Sequence, residues 1–307
     1  MQHSKLLRHS RTPIQYINQL PDTIKGIAFA LISNALFIGV GALVRTLSES
    51  LDVFQILLFR QLVFIVLLLP AITKNVDHLL KPKMLPFHIL RVTGAFISLY
   101  LGFLTVSNIP FAEATALGFL KVIFVAIISR LFLSEMVNAA RMLTITIGFI
   151  GVIMVVQPAF DNTSTFYTLM GVIASIGAAV AVICVRKMAA VESKTVVLVY
   201  QAVFVGLIAI VPSVLAWQWP TTEQWILLML VGVISSIAQW FGVTAYKWGE
   251  ANVIANVEYT QMIYSIALGY WLFSETPNAL AIVGVGVILG SSLLPYIKPL
   301  FKRPATR

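Results

Sequence analysis

Lys121 stands in the middle of an apolar run, ALGFLKVIFVAII over residues 116–128. An unpaired ammonium at the centre of a bilayer costs about 2.5–3.5 kcal/mol, so it has to face protein or water and to have a partner. Glu258, in NVEYTQMIYSIAL over residues 256–268, is the obvious carboxylate. With one run entered at residue 112 and the other, from the opposite face, at residue 251, the two groups lie ~13.5 Å and ~10.5 Å deep at 1.5 Å per residue. In a layer of about 30 Å their levels then differ by roughly 6 Å, which two long side chains can bridge. Two chemistries fit such a pair. One is a structural ion pair, which gains little over apolar packing. The other is a binding device, in which Lys121 meets an anionic group of a solute while Glu258 meets a cationic group or takes a proton.

Other polar residues lie in the spans, Glu113 at the outer mouth and the aromatic and amide residues at mid-span. Glu113 lies eight residues before Lys121, ~80° away around a continuous helix, and is a second candidate for proton coupling; an acid favouring its own helix N-terminus is the simpler alternative. Arg60 is either an inward-pointing charge or a side chain reaching back to the surface. Asn34, Tyr100, Trp240, Tyr259 and Gln261, with Tyr246 and Tyr264, offer stacking and hydrogen bonds to a planar or amphiphilic ligand, or simply pack.

Several chemistries are excluded by what is missing. The only cysteine is Cys184, and the four histidines, His3, His9, His78 and His88, lie in the tail, in a connection or at a span's end. No metal site and no disulfide can be built from these residues. No aspartate lies within a span, and neither Gly-x-Ser-x-Gly nor a Gly-x-x-x-x-Gly-Lys phosphate loop occurs. An intramembrane enzyme would need a nucleophile with its base, and an ATP-driven pump its loop. Neither enzymatic activity nor a cofactor is expected, and a channel is disfavoured because no selectivity-filter loop recurs.

The elements that must position these residues follow from composition. Of 307 residues 59% are hydrophobic and only 11% charged, well below the roughly 25% charged of a soluble domain. Runs of ~20 apolar residues recur throughout, each long enough to cross the hydrocarbon. They predict spans at 24–47, 53–73, 87–107, 112–133, 139–157, 168–187, 195–216, 223–248, 251–273 and 277–297. A net charge of +9 would suit nucleic acid if it clustered on a soluble face, but the charges sit between spans. Eighteen of the 21 Lys and Arg fall on the side of the N-terminus, Arg91 among them; Arg45 is on the other side, and Arg60 and Lys121 are inside spans. That bias places both termini in the cytoplasm and the protein in the cytoplasmic membrane, with lipid and not nucleic acid around it.

The two halves repeat. GIAFALISNALFIGVGALVR (26–45) is similar to GVIASIGAAVAVICVR (171–186), and KVIFVAIISRLFLSEMVNA (121–139) overlays QMIYSIALGYWLFSETPNA (261–279), matching Ser134-Glu135 with Ser274-Glu275. Five spans per half is an odd number, so the second half enters the membrane inverted. The expectation is an all-α integral membrane protein of ten transmembrane helices, two inverted five-helix repeats around a central cavity. The tail 1–23 precedes repeat 1 (24–157), and the tail 298–307 follows repeat 2 (168–297). Gly286 and Gly290, and Gly171, Ser175 and Ala179, have the spacing of close helix contacts.

NIPFAEATALGFLKVIFVAIISRLFLSE with GFIGVIMVVQP in the first half, and AYKWGEANVIANVEYTQMIYSIALGYWLFSE in the second, resemble EamA-type members of the drug/metabolite transporter superfamily. The resemblance covers about residues 24–297. It implies the ten-helix inverted-repeat fold, a cavity walled by spans 1, 3, 4, 6, 8 and 9, and transport of a small solute. Such members usually carry a proline early in spans 4 and 9; here Lys121 and Gln261 stand in its place. Glu135 and Glu275 match the family's recurring acid at the ends of these spans, with capping of the following helix, or a gating contact, as its role. Solutes implied by the resemblance include amino acids, S-adenosylmethionine, riboflavin and cationic drugs. One Lys and one Glu at one level suit a zwitterion. The expected protein is therefore a secondary transporter of a small amino-acid-like metabolite, binding through Lys121, Glu258, Gln261, Tyr100, Trp240, Tyr259 and Asn34, with protons as a coupling ion through Glu258 or Glu113, and acting as a monomer or homodimer. The topology makes a direct prediction: cysteines placed by Asp161→Cys and Lys194→Cys in a Cys184→Ser background should react with an impermeant maleimide from opposite faces, and labelling from one face would refute it.

Overall fold

The structure, a computed structural model, describes residues 21–132, 139–157, 162–250, 253–254 and 257–301. It is built from α-helices. In chain order they are α1 (Asp22–Leu47), α2 (Val53–Lys74), the short α3 (Val76–Leu80), α4 (Leu85–Asn108), α5 (Phe111–Gly118), α6 (Leu120–Phe132), α7 (Ala139–Val156), α8 (Asn162–Met188), α9 (Lys194–Leu215), α10 (Thr222–Trp248), α11 (Gln261–Phe273) and α12 (Ala279–Phe301), with a 3-10 turn at Glu258–Thr260 before α11. Ser134, Glu135, Asn138, Asp161 and most of both tails lie outside the described residues.

Local chemistry sets several of the helix starts. The Asp52 carboxylate accepts the Phe54 N–H at 2.8 Å ahead of α2, the Ser193 hydroxyl accepts that of Val196 at 3.3 Å ahead of α9, and Thr221 and Gln224 form a reciprocal capping box at α10. Each supplies acceptors for first-turn donors that have no partner within the helix. Pro110 precedes α5, where its fixed φ suits helix entry.

Seven stretches are long and apolar enough to cross a membrane among the described residues: Asp22–Leu47, Val53–Lys74, Leu85–Asn108, Phe111–Phe132, Thr165–Met188, Lys194–Leu215 and Thr222–Trp248. Met142–Val156 and Ala279–Ser291 are shorter apolar helices. The surface agrees with lipid: Leu131 is 73% and Trp271 80% exposed, while Gln55, Arg60, Arg91, Gln201 and Glu258 are buried. Large exposed apolar area beside buried polar groups marks a membrane-facing exterior.

Span 4 is not one regular helix. At Phe119 the N–H bonds back to Ala116 O at 3.0 Å and Val122 N–H to Phe119 O at 2.9 Å, three-residue steps that separate α5 from α6. Span 9 likewise passes through the 3-10 turn at Glu258 before α11 begins. Both interruptions occur although Lys121 and Gln261, not proline, occupy the positions just beyond them.

The packing is pairwise. α4 lies along α8, α1 along α10, α7 along α12 and α2 along α9; α10 also touches α2, as α9 touches α4, and α6 meets α8 as α11 meets α1. Exchanging the helices of the first half for those of the second, in order, turns each of these pairings into itself or into another that is present. Close approaches are made by glycine. A Cβ on Gly94 or on Gly177 would lie 2.7 Å from the other's carbonyl oxygen, so α4 and α8 can touch only without side chains there. In the α7–α12 pair the contact is Gly151 with Gly284. Gly286 and Gly290, expected at such a contact, meet nothing, because that face of α12 points outward.

A Cβ at Gly284 would sit 2.8 Å from Met154 Cβ and 2.9 Å from Gly151 O. Gly284→Val should therefore cost ~1–3 kcal/mol, the scale of overpacking, whereas Gly286→Val and Gly290→Val should stay within about 0.5 kcal/mol of the parent, as surface changes do. Thermal unfolding of the purified protein in detergent separates the two outcomes.

Candidate functional site

Lys121 is the second residue of α6 and Glu258 the first of the 3-10 turn, so both charges are presented where helices begin. A cation in the first turn is disfavoured by the helix dipole and an anion favoured. Lys121 is compensated directly: its Nζ forms an ion pair with Glu258 Oε2, the two side chains 19% and 8% exposed. The other carboxylate oxygen, Oε1, accepts the Tyr246 hydroxyl at 2.7 Å. Glu258 thus joins α6, α10 and the entry to α11 through one group.

This pair lines a cavity of about 270 Å³ between α1, α4, α6, α8, α9, α10 and the start of α11. Asn34 and Gln261 share its wall, with Gln261 Nε2 donating to Asn34 Oδ1 at 2.8 Å; the buried Asn34 Nδ2 has no partner. Five further polar residues line it: Ser33 from α1, Arg91 and Ser98 from α4, Gln201 from α9 and Gln239 from α10, the two glutamines bonded at 3.3 Å. Its α4 residues run from Arg91 to Leu99, from the first half of that helix to just past its middle, and its α8 and α10 residues come from the second half of theirs. The cavity is therefore displaced toward the end of the bundle that holds Leu85, Met188 and Trp248.

The remaining residues singled out by sequence lie elsewhere. Tyr100 does not line this cavity; it stacks on Phe54 with ring centroids 4.1 Å apart. Trp240 is 42% exposed with the Lys194 ammonium 3.7 Å above its ring. Tyr259 is buried against Phe119. Glu113 lines a second cavity of about 550 Å³ with Gln157, Gly269, Glu275 and Asn278. The tight steps at Phe119 break the helical register through which Glu113 and Lys121 would share a face. Arg60 is 1% exposed, lines neither cavity and donates to Gln61 Oε1 at 3.3 Å. Arg91 is the residue that sequence reasoning passed over: counted as a surface charge of the positive-rich side, it is 1% exposed in the cavity wall. Its signal was its position several residues inside a span.

The opposite end is held by Glu275. Its carboxylate pairs with Arg45 of α1 at 2.6 Å and accepts the Phe111 N–H at 2.8 and 3.0 Å, while the Arg45 guanidinium lies 4.4 Å from the Phe273 ring centre. Glu275 caps α5 across the bundle and not the helix that follows it; α12 is capped by Asn278, whose Oδ1 accepts the Ala281 N–H at 2.8 Å. Arg45 also reaches Ile109 O at the end of α4, and Arg186, its counterpart in the internal repeat, reaches Tyr246 O near the end of α10, each at 3.4 Å.

The class is a many-spanning helical membrane protein that encloses a small cavity lined by a buried ion pair. The chain belongs to the EamA-like transporter family, whose model matches residues 24–157 and 165–297. It is similar to the pseudopaline exporter CntI of Pseudomonas aeruginosa, 26% identical over 268 residues that make up 86% of this chain and 93% of the relative. It is also similar to a riboflavin transporter of Brucella anthropi, 25% identical with 76% and 84% covered, and to an S-adenosylmethionine uptake transporter of Rickettsia conorii, 24% identical with 88% and 92% covered. A crystal structure at 16% identity superposes with a TM-score of 0.70 over 92% of this chain and 99% of that one, which shows a shared fold. The protein is thus a multi-pass secondary transporter of small metabolites and not an enzyme.

Because Glu275 ties α1, α5 and the end of α11 together, Glu275→Leu should destabilise the protein by about 2–4 kcal/mol, the loss of charge-assisted hydrogen bonds that leaves Arg45 unpaired. Glu275→Gln, which keeps one acceptor for Phe111, should cost less. Unfolding in detergent reads both, and equal stability of parent and Glu275→Leu would deny the tie.

Proposed function

We propose that this transporter carries a small organic zwitterion by alternating access, with Lys121 and Glu258 as its binding groups. The observation that carries this reading is the Lys121–Glu258 pair in the wall of the central cavity. A zwitterion can enter such a pair by exchange: its carboxylate takes Lys121, its ammonium takes Glu258, and neither buried charge is left alone at any stage. The volume, about 270 Å³, lies just below the roughly 300–1,000 Å³ of ligand pockets and suits an amino-acid-sized group. S-adenosylmethionine, named for a relative, carries an α-ammonium and an α-carboxylate of this kind.

The two-fold exchange of helix pairings supports ten spans in two inverted repeats, 24–157 and 168–297, and the Lys and Arg bias supports both termini in the cytoplasm. In that frame the cavity lies toward the cytoplasm and the Arg45–Glu275 tie closes the outer end, an inward-facing state. Rocking would open the tie and close the Arg186 end, and the solute biases the equilibrium by the difference in its contacts with the two states. Glu258, in the same cavity, is the acid placed to couple protons; Glu113 lines the separate outer cavity.

Uptake of a zwitterion panel into proteoliposomes, with and without a pH gradient, tests this. Lys121→Gln should weaken solute binding by ~1.5–3 kcal/mol, the worth of a charge-assisted hydrogen bond. Glu258→Gln should abolish accumulation driven by the gradient and leave exchange at equal pH, and accumulation that survives would remove the coupling role. The double variant Lys121→Met with Glu258→Met should fold, since apolar packing replaces a buried pair at little cost, yet fail to transport. Transport by that variant at the parental rate would leave the pair as structural glue.

A further inference from the structure

Arg91 stands in the cavity wall without a counterion among the described residues. It is 1% exposed, and its hydrogen bond is from Nη1 to the carbonyl oxygen of Val197 at 3.1 Å; Nε is buried with no partner. Guanidinium offers five N–H donors, so most of its capacity is unspent. No carboxylate among the described residues pairs with it, although Arg45 and Lys121 both have theirs. A buried guanidinium carries a large desolvation cost that one neutral carbonyl does not repay.

The cavity's charges make the same point. Its charged lining residues are Arg91, Lys121 and Glu258. Lys121 and Glu258 neutralise each other, which leaves one positive charge, and that charge is Arg91. Gln201 stands one helical turn beyond Val197 on α9, so the amide pair Gln201–Gln239 borders the region toward which Arg91 is held. A planar guanidinium flanked by neutral amides is a receptor for a carboxylate, which takes two parallel N–H donors and leaves its other lone pairs for amide N–H groups.

We infer that the central cavity holds an anion subsite centred on Arg91, and that the solute carries, besides a zwitterionic head for Lys121 and Glu258, a further carboxylate that docks there. The solute class is an acidic amino acid or an amino-acid conjugate with a second acid group, net charge −1, which cancels the net charge of the cavity. The inference rests on the proposed reading of the central cavity as the solute site and adds selectivity to it.

Matched pairs that differ only by carboxylate against carboxamide test the subsite: L-glutamate with L-glutamine, and L-aspartate with L-asparagine, added to the purified full-length protein while its thermal unfolding midpoint is followed. The parent should bind the acids about tenfold more tightly than the amides, the step worth one charge-assisted hydrogen bond. In Arg91→Gln the acids should fall to the level of the amides, and Arg91→Lys should recover part of the preference. Without solute, Arg91→Gln should unfold no lower than the parent, because it removes an uncompensated charge; a large fall would make Arg91 a structural post and overturn the inference. It is equally overturned if the parent prefers the amides, if it responds to none of the acids, or if the preference survives in Arg91→Gln. Failure of the underlying reading looks different: the Lys121→Met, Glu258→Met double variant would then bind acids and amides as the parent does.

Discussion

A charge inside the hydrocarbon layer has to be enclosed, and in this protein one enclosed pair organises the parts around it. Lys121 begins α6 and Glu258 begins the turn into α11, so each charge is carried by a segment that has just been interrupted. Interruptions are tolerated at membrane depth only where neighbouring protein or a polar cavity takes up the freed backbone groups. The cavity, the two helix breaks and the ion pair therefore imply one another. Tyr246 adds the second ligand to Glu258 and brings α10 into the same cluster. Removing either charge would strand its partner, which is why neither can be treated as an isolated side chain.

The positions just after the breaks are those at which similar transporters usually carry proline. Proline would produce a break by lacking an N–H and by its ring. Here the breaks persist with Lys121 and Gln261, and the polar side chains take on roles the ring could not: Lys121 pairs with Glu258, and Gln261 donates to Asn34. The break is present without the ring, and two polar side chains line the cavity beside it.

The two ends of the bundle are dressed differently. At one, Glu275 collects Arg45 and the first N–H of α5, a compact set of charge-assisted bonds among α1, α5 and the segment after α11. Toward the other lies the polar cavity, with Arg186 reaching the last turns of α10. Repeat-related arginines thus perform the same task, bonding to a carbonyl near the end of α4 or α10, in surroundings that differ.

Much of this was legible in the residues. Apolar runs of about 20 residues leave a chain no other place to fold than a membrane, because their length and composition are set by the hydrocarbon thickness. The isolated Lys121 announced a partner, and depth arithmetic along two spans sufficed to find Glu258. The transporter family was readable from motif order and from the repeat. What sequence could not supply was the face each residue presents once helices tilt and break. Glu113 left the Lys121 face because of tight steps at Phe119 that carry no proline signal. Gly284 and not Gly286 met α7, since a spacing does not say which side of a helix finds a neighbour. Arg91 counts as a topological charge in the sequence, and the structure buries it in the cavity wall against α9. Composition and periodicity determined the solvent of this protein and the pairing of Lys121 with Glu258; only tertiary packing decided that Arg91 is buried and which charges share a cavity, because that depends on rotations about helix axes that no single span encodes.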